Sequence, residues 1–545
     1  MVRKGKYSIA EWLLFGVVVF FVVGYILFPL LQLFREGAGV LKEHRSVFSK
    51  NTISAVTNSL VLSVISVVGS ALIGTYIAYI LHFHKFRYKT IFATIVLLPI
   101  ALPPIMGTVS FLFLLGENGL LARLLSLHAF RFDGWNAIII IHLFSFYPLF
   151  YVFANAALKK FDYNTAEASY LLGASATQTL WKIVVPFLLP SLVSAALLTF
   201  MTSMASFSAP FLFGQSSRFL TTEIYYAKVN GDISYSAALA GILVLFSSVV
   251  LFLFRAYRKK TTVETKTKGA SRIAINFSLK RSNYGSFVLL SLFSLLVLLP
   301  VLALLLLAFL PEGALMQGSL DLRLTFENFR SLFAEPALST PFFNSVLLSV
   351  IAVIATVVLG TVAAYVIRGR KGKVGGAIET LISLPYGVPG TVLALCLILS
   401  FNQRNVFSFF NVLVGSLWIL PLAYTIRNIP IATQSVITGF NSIDPSYEEA
   451  SFVLGVGKWR TFRRVTLPLL VPFLVEGTLL VFINSIGEFV ATILLYNYDT
   501  RTLAVEIYSQ LRQYNNGLAA AYGVLMFLII LLVVFVSRRL QRQKV

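Results

Sequence analysis

Twelve long apolar stretches constrain this chain more than any other feature of its sequence. A helix that crosses a bilayer needs roughly 20 predominantly apolar residues, because the hydrocarbon core is about 30 Å thick. We therefore expect an all-α polytopic membrane protein with about 12 transmembrane helices. Only 12% of the residues are charged, which excludes a soluble enzyme. The stretches run over residues 11–34, 56–81, 90–115, 136–157, 188–213, 235–254, 286–310, 342–366, 377–400, 409–426, 469–494 and 517–536.

Positive charge predicts the side that each connecting segment faces. If the N-terminus lies inside, the segments on that side hold 31 of the 44 Lys and Arg residues. Such an excess is typical of cytoplasmic segments, so both termini are expected to be cytoplasmic. The net charge of +22 then reflects topology, and we expect contact with membrane lipid and no nucleic-acid partner.

Residue types that bind metals or catalyse reactions are sparse. One cysteine, Cys396, and five histidines scattered through loops and helix ends form no spaced ligand set. The chain also lacks the Gly-x-x-x-x-Gly-Lys-Ser/Thr pattern of a phosphate-binding loop. We therefore expect no metal site and no catalytic residue, and the chain is not expected to be an enzyme.

The sequence contains two copies of one pattern. NSLVLSVI at residues 58–65 returns as NSVLLSVI at 344–351, 286 residues later, and from Asp162 onwards the offset is 282. We expect a first half of six helices, a basic cytoplasmic linker and a second half of six helices, at 1–255, 256–285 and 286–545. Because six is even, the two halves are parallel repeats with a pathway between them. The linker is interpreted as a solvated connector, and a site for anionic lipid or a regulator is the alternative.

One segment after the fourth helix of each half carries the same spaced motif. These segments are expected to be cytoplasmic loops, at 159–187 and 427–468. An acidic residue early in a short helix and a glycine that ends it are typical of a surface helix. We expect each helix to dock on a partner protein. The motif residues are Glu167, Ala168, Ser169, Gly173 and Pro186 in the first loop, and Glu449, Ala450, Ser451, Gly455 and Pro468 in the second.

This motif resembles the signature of inner-membrane permeases of binding-protein-dependent ABC importers. That signature is Glu-Ala-Ala, three residues, Gly, nine residues, Ile-x-Leu-Pro, and here Ser169 and Ser451 replace the second alanine. The chain looks like two such permeases fused, as in ferric-iron or thiamine permeases. The resemblance implies a type I importer fold in a bacterial or archaeal cytoplasmic membrane. It also implies that the ten motif residues form two coupling helices.

The same resemblance implies the partners. Each coupling helix would dock on one of two copies of an ABC ATPase, which would bind ATP and Mg, so no cofactor is expected in this chain. One extracytoplasmic solute-binding protein would deliver the substrate. Ferric iron is the expected substrate, with thiamine, phosphonate, sugar phosphate or polyamine as alternatives. A major-facilitator secondary transporter is a further alternative, but it gives no reason for the paired loops.

A few residues inside the expected spans are candidates for contact with the pathway. Ionisable groups in spans are costly, and Glu488 is the main candidate for contact with the pathway or the binding protein. A hydrogen bond to a neighbouring helix is the alternative for Glu488, and packing is the interpretation for His142 and Arg427. Recurring prolines are expected to interrupt or kink the third helix of each half, either for packing or to line the pathway. They are Pro99, Pro103, Pro104, Pro385 and Pro389.

Overall fold

The computed structural model describes residues 8–42, 49–84, 88–117, 119–124, 131–261, 284–314, 322–370 and 372–542. Throughout these ranges the regular structure is helical. Among the described residues, ten helices are long and apolar enough to cross a membrane, and a bent pair raises the number to eleven. The all-helical polytopic class is confirmed. Most of the expected linker, 262–283, lies outside the described residues.

The first half contains six long helices and one surface helix. The long ones are α1 (Ile9–Val40), α2 (Lys50–Phe83), α3 (Pro104–Leu115), α4 (Gly134–Leu158), α6 (Thr177–Met204) and α7 (Ile233–Thr261), and the surface helix is α5 (Tyr163–Leu171). Shorter helices cover Lys89–Val96, Leu98–Ala101, Leu120–Leu124, Ser208–Phe213 and Leu220–Val229.

The second half repeats this order. Its helices are α8 (Tyr284–Ala308), α9 (Pro336–Gly369), α10 (Lys373–Gly387), α11 (Gly390–Phe401), α12 (Ile419–Ser442), α13 (Ser446–Val453), α14 (Lys458–Ile486) and α15 (Asn516–Arg542). Shorter helices cover Glu327–Ala334, Val406–Ser408, Thr492–Leu495 and Leu503–Arg512. Both α6 and α14 contain a π-helical turn at the same repeat position, Leu180–Val184 and Phe462–Thr466.

Each half is built around three mutually packed helices. Helices α2, α4 and α6 contact one another in the first half, and α9, α12 and α14 do so in the second. The halves also interlock, because the first helix of each packs on the other half. Helix α1 contacts α9 and α11, while α8 contacts α3 and Lys89–Val96. One hydrophobic core therefore runs through both halves.

Glycines allow the central helices to approach closely. A Cβ atom at Gly74 of α2 would collide with the carbonyl oxygen of Tyr147 in α4. At the equivalent Gly360 of α9, a Cβ atom would lie 2.8 Å from the Cβ of Ala432 in α12. Without a hydrophobic driving force between helices in lipid, such close van der Waals contact holds the helices together.

Prolines interrupt the third span of each half, as expected. In the first half the expected span 90–115 is three helices, because proline lacks the N–H that would continue the hydrogen-bonded ladder. In the second half α10 and α11 meet at a bend of 108°. Pro103 and Pro389 stand immediately before α3 and α11.

The bounds of the tenth expected span, 409–426, are wrong. Residues 409–418 are irregular, and α12 begins at Ile419 and continues to Ser442. The apolar residues Phe409 and Phe410 both have positive φ angles, as does Gly415, so the chain turns where hydropathy predicts a helix. Hydropathy alone places the span too early because the later turns of α12 carry polar side chains.

Substitution of Gly74 by alanine tests the close packing. We expect Gly74→Ala to destabilise the protein by about 1–3 kcal/mol, because its Cβ forces α2 away from α4. Gly16→Ala in α1 is the matched control, since nothing lies within 4 Å of a Cβ built there. Thermal unfolding in detergent, followed by size-exclusion chromatography, compares the two. Equal melting temperatures would contradict the packing argument.

Candidate functional site

Helices α5 and α13 are built in the same way. The side chain of Asp162 accepts a hydrogen bond from the Asn164 amide at 3.0 Å, and that of Asp444 accepts one from Ser446 at 2.9 Å. Helix α13 starts at Ser446. Such capping bonds satisfy amides at the start of a helix.

A glycine ends each of these helices. The φ angles are +83° at Gly173 and +76° at Gly455, a conformation that glycine adopts without steric cost. The space where a Cβ atom would lie is open at both positions. The motif therefore has glycine at these two positions because the backbone there has a positive φ angle.

The serines that replace the second alanine of the motif are buried. Ser169 Oγ lies 2.7 Å from Thr179 Oγ1, and Ser451 Oγ lies 2.8 Å from Thr461 Oγ1. Each bond ties the surface helix to the start of the next span. The motif does not include these two threonines. They nevertheless stand 282 residues apart and follow their serines at the same spacing.

Each surface helix presents a pair of exposed apolar side chains. The exposed fractions are 89% for Leu171 and 88% for Leu172, and 87% and 81% for their counterparts Val453 and Leu454. Other motif residues are accessible as well, since only the two serines are buried and Glu167 is half-buried. The exposed ones are Ala168, Gly173, Pro186, Glu449, Ala450, Gly455 and Pro468.

The second surface helix has an ionic anchor whose acidic residue has no acidic counterpart in the first. Arg368 at the end of α9 donates two hydrogen bonds to Glu448, at 2.8 and 2.9 Å, and Thr466 donates a third at 2.8 Å. Burial alone would raise the pKa of Glu448, but these hydrogen bonds and the charge of Arg368 outweigh it, so the pKa is lowered. The counterpart of Glu448 in the first half is Ala166, which is buried. The two surface helices are thus held differently.

A cavity of about 390 Å³ lies between the two halves, near the breaks in their third spans. Both halves contribute prolines, polar side chains and the ends of α6 and α14. Among its polar and aromatic lining residues are Thr108, His142, Ser145, Phe146, Thr202, Ser206, Phe207, Tyr386, Arg427, Asn428, Asn484, Glu488 and Phe489.

One ion pair lies on the wall of this cavity. Arg427 Nε is 2.9 Å from Glu488 Oε2, and Glu488 Oε1 accepts a hydrogen bond from the Ala491 amide at 2.9 Å. The sequence predicts only a packing role for Arg427 and does not predict this pair. The offset of 282 already holds within α4 and α12, where Pro148 and Pro430 correspond. The first half therefore places Ser145 and Ser206 at the two corresponding positions.

His142 is held by serines rather than by charges. Its two ring nitrogens lie 2.9 Å from the hydroxyls of Ser66 and Ser206. This agrees with the interpretation of His142 as a hydrogen-bonding packing residue. Among the described residues, no group of three or more His, Cys, Asp or Glu side chains could hold a metal ion.

Aromatic rings from both halves cluster just beyond the ends of α6 and α14, on the side of the cavity away from α5 and α13. The ring centroids of Phe207 and Phe489, which are repeat counterparts, are 5.9 Å apart. The ring centroid of Phe211 lies 4.9 Å from that of Tyr225, edge to face, and 5.0 Å from that of Tyr508. The cluster joins the halves at one end of the cavity.

Comparisons with known proteins show which proteins this chain is similar to. Residues 70–263 and 356–545 match the family described as binding-protein-dependent transport system inner membrane component. A probable ABC transporter permease protein of Sinorhizobium fredii is 26% identical over 91% of this chain and 90% of its own length. A ferric transport system permease protein of Actinobacillus pleuropneumoniae is 26% identical over 98% of this chain and 78% of its own. A bacterial ABC transporter that imports alginate aligns with 48% of this chain and 96% of its own, at 19% identity and a TM-score of 0.40.

Hydrogen exchange tests how much the Arg368–Glu448 pair stabilises α13. Because the pKa of Glu448 is lowered, its pairing stabilises α13 above its ordinary pKa of 4.5, and this is lost as the pH falls through the folded pKa. We expect Glu448→Gln to speed hydrogen exchange in 446–453 about tenfold at pH 7, which corresponds to roughly 1.4 kcal/mol. Exchange in 163–171 is the internal control and should not change. An unchanged rate in 446–453 would show that the pair does not anchor α13.

Proposed function

The chain belongs to the inner-membrane components of binding-protein-dependent transport systems, and we infer that the cargo of this permease subunit is ferric iron. The family is a non-catalytic membrane component of ABC importers, so a secondary transporter is excluded. The observation that carries the iron proposal is the likeness to a ferric transport system permease across 98% of this chain. Thiamine, phosphonate, sugar phosphate and polyamine remain the alternatives.

The proposed partners follow from the two repeated surface helices. We propose that α5 and α13 each dock on one copy of an ABC ATPase, which binds ATP and Mg. Four exposed apolar side chains support this proposal, because burying each one would contribute about 1.5–3 kcal/mol. In this proposal the loops and both termini are cytoplasmic, and a solute-binding protein delivers cargo at the opposite face.

A buried hydroxyl pair joins each surface helix to the span that follows it, and this contact supports a coupling role. The Ser169–Thr179 and Ser451–Thr461 bonds join each helix to α6 or α14, whose far ends line the cavity. Movement of a docked ATPase would therefore be passed to the cavity walls. In this proposal the aromatic cluster around Phe207 and Phe489 separates as the pathway opens outward.

Charge introduced on the surface helices tests the docking proposal. We expect Leu171→Asp with Leu172→Asp to leave one bound ATPase instead of two, and the added pair Val453→Asp with Leu454→Asp to leave none. Aspartates cannot be buried unpaired at an apolar interface. The complex with a co-expressed ATPase is weighed by native mass spectrometry. Two ATPases retained on the quadruple variant would refute docking at these helices.

Tyr514→Asp is the control for the docking test. Tyr514 is 79% exposed and lies between Leu503–Arg512 and α15, on the face opposite the surface helices. We expect this variant to keep both ATPase copies. Loss of the ATPase in the control as well would mean that added charge disrupts the permease in general.

Uptake by cells tests the cargo. We expect a strain that lacks the chain to lose uptake of radiolabelled ferric iron at low external iron, and to recover it when the chain is restored. Uptake of thiamine, phosphonate and polyamine in the same strains is the control and should not change. Loss of one of these with normal iron uptake would replace ferric iron by that compound.

A further inference from the structure

The ion pair in the central cavity exposes its two charges unequally. The side chain of Arg427 is 31% exposed, whereas that of Glu488 is 7% exposed. Among the described residues that line the cavity, these two are the charged ones. A molecule inside the cavity therefore meets the guanidinium far more readily than the carboxylate.

Hydrogen bonding distinguishes the two charges further. Both oxygens of Glu488 are engaged, one by the Ala491 amide and the other by Arg427. Arg427 Nη1 is buried and has no hydrogen-bond partner in the described part of the chain. A guanidinium has five donors, and a buried donor left unpaired is costly. Both carboxylate oxygens of Glu488 thus have partners within the protein, whereas one nitrogen of the Arg427 guanidinium has none in the described part of the chain.

The break between α10 and α11 makes room for the guanidinium. A Cβ atom at Gly390 would lie 2.7 Å from Arg427 Nη1. The arginine thus occupies space that exists because this residue is glycine. The other polar groups on this wall are neutral, and Asn428 already donates to the Tyr424 carbonyl at 2.9 Å.

We propose that Arg427 is an anion-binding residue of the cavity, and that Glu488 is its partner when no anion is bound. This inference rests on the proposed function, because it treats the cavity as part of the transport pathway. Guanidinium groups bind oxyanions such as phosphate and carboxylate through paired N–H donors. A bare cation would be repelled by the exposed charge of Arg427. Cargo therefore crosses as an oxyanion, or as a metal ion that carries oxyanion ligands.

Binding of labelled anions to the full-length chain in nanodiscs tests this proposal. Equilibrium dialysis is run with radiolabelled phosphate and molybdate, and with radiolabelled iron as ferric citrate or as uncomplexed Fe³⁺. We expect binding of the anions or of ferric citrate, weakened at least tenfold in Arg427→Gln and less in Arg427→Lys. Glu488→Gln should bind as tightly as the natural chain or more so, since a competing carboxylate is removed. Binding of ferric citrate alone would indicate that the cargo is a metal ion with oxyanion ligands. Binding of phosphate or molybdate would indicate that the cargo is a free oxyanion.

Arg218→Gln is the matched control. Arg218 also pairs with a glutamate, Glu223, at 3.0 Å, with comparable exposure, but it does not line the cavity. We expect this variant to bind the probes normally. Melting temperatures of all variants identify any that fail to fold. If Arg427→Gln fails to fold, weaker anion binding by Arg427→Lys is the test. Normal binding by Arg427→Gln, or binding of uncomplexed Fe³⁺ that is lost in Glu488→Gln, would overturn the proposal.

Iron uptake in cells separates this inference from the proposed function. We expect Arg427→Gln to lower ferric uptake at least tenfold while Arg218→Gln does not. If deletion of the chain leaves iron uptake intact but anions bind through Arg427, the iron proposal fails and the anion site stands. If deletion abolishes uptake but Arg427→Gln cells take up iron normally, the anion site is refuted and the iron proposal stands.

Discussion

The absence of hydrogen-bonding solvent in the bilayer governs the rest of this structure. Every backbone amide and carbonyl there must be satisfied within the protein, so uninterrupted helices face the lipid and breaks are confined to the interior or to cavities. The breaks in the third span of each half obey this rule. Residues 99–104 and 385–389 interrupt the third span of each half, and both border the central cavity. The breaks of both halves therefore lie beside the polar lining of the central cavity.

Interlocking of the halves follows from the same constraint. Helix α1 packs on the second half and α8 on the first, so the two halves share one hydrophobic core. Close approach at Gly74 and Gly360 supplies the van der Waals contact that replaces hydrophobic driving force inside a membrane. The surface helices α5 and α13 are tied to this framework by buried hydroxyl pairs, which makes them extensions of α6 and α14.

Much of the fold could be predicted because hydropathy and the repeat are strong signals. The all-helical class, the proline interruptions and the glycine-ended surface helices all follow from residue spacing. The tenth span was misplaced, since Phe409 and Phe410 are apolar yet lie in a turn that depends on long-range packing. The Arg427–Glu488 pair was missed for a similar reason. The two residues are 61 positions apart, Arg427 in α12 and Glu488 just past the end of α14, and no local pattern relates them.

Fusion of the two halves in one chain is what permits a single ion pair in the cavity. In a symmetric dimer of one half, any charge placed at the position of Arg427 would occur twice, and two guanidinium groups would face each other across the cavity. Here the corresponding positions of the first half are Ser145 and Ser206, so one wall is charged and the other is neutral. The same reasoning applies to Glu448 and its counterpart Ala166. Because the two copies can change separately, the cavity walls and the anchoring of the surface helices differ between the halves. The repeated hydroxyl pairs and glycines keep the two surface helices alike.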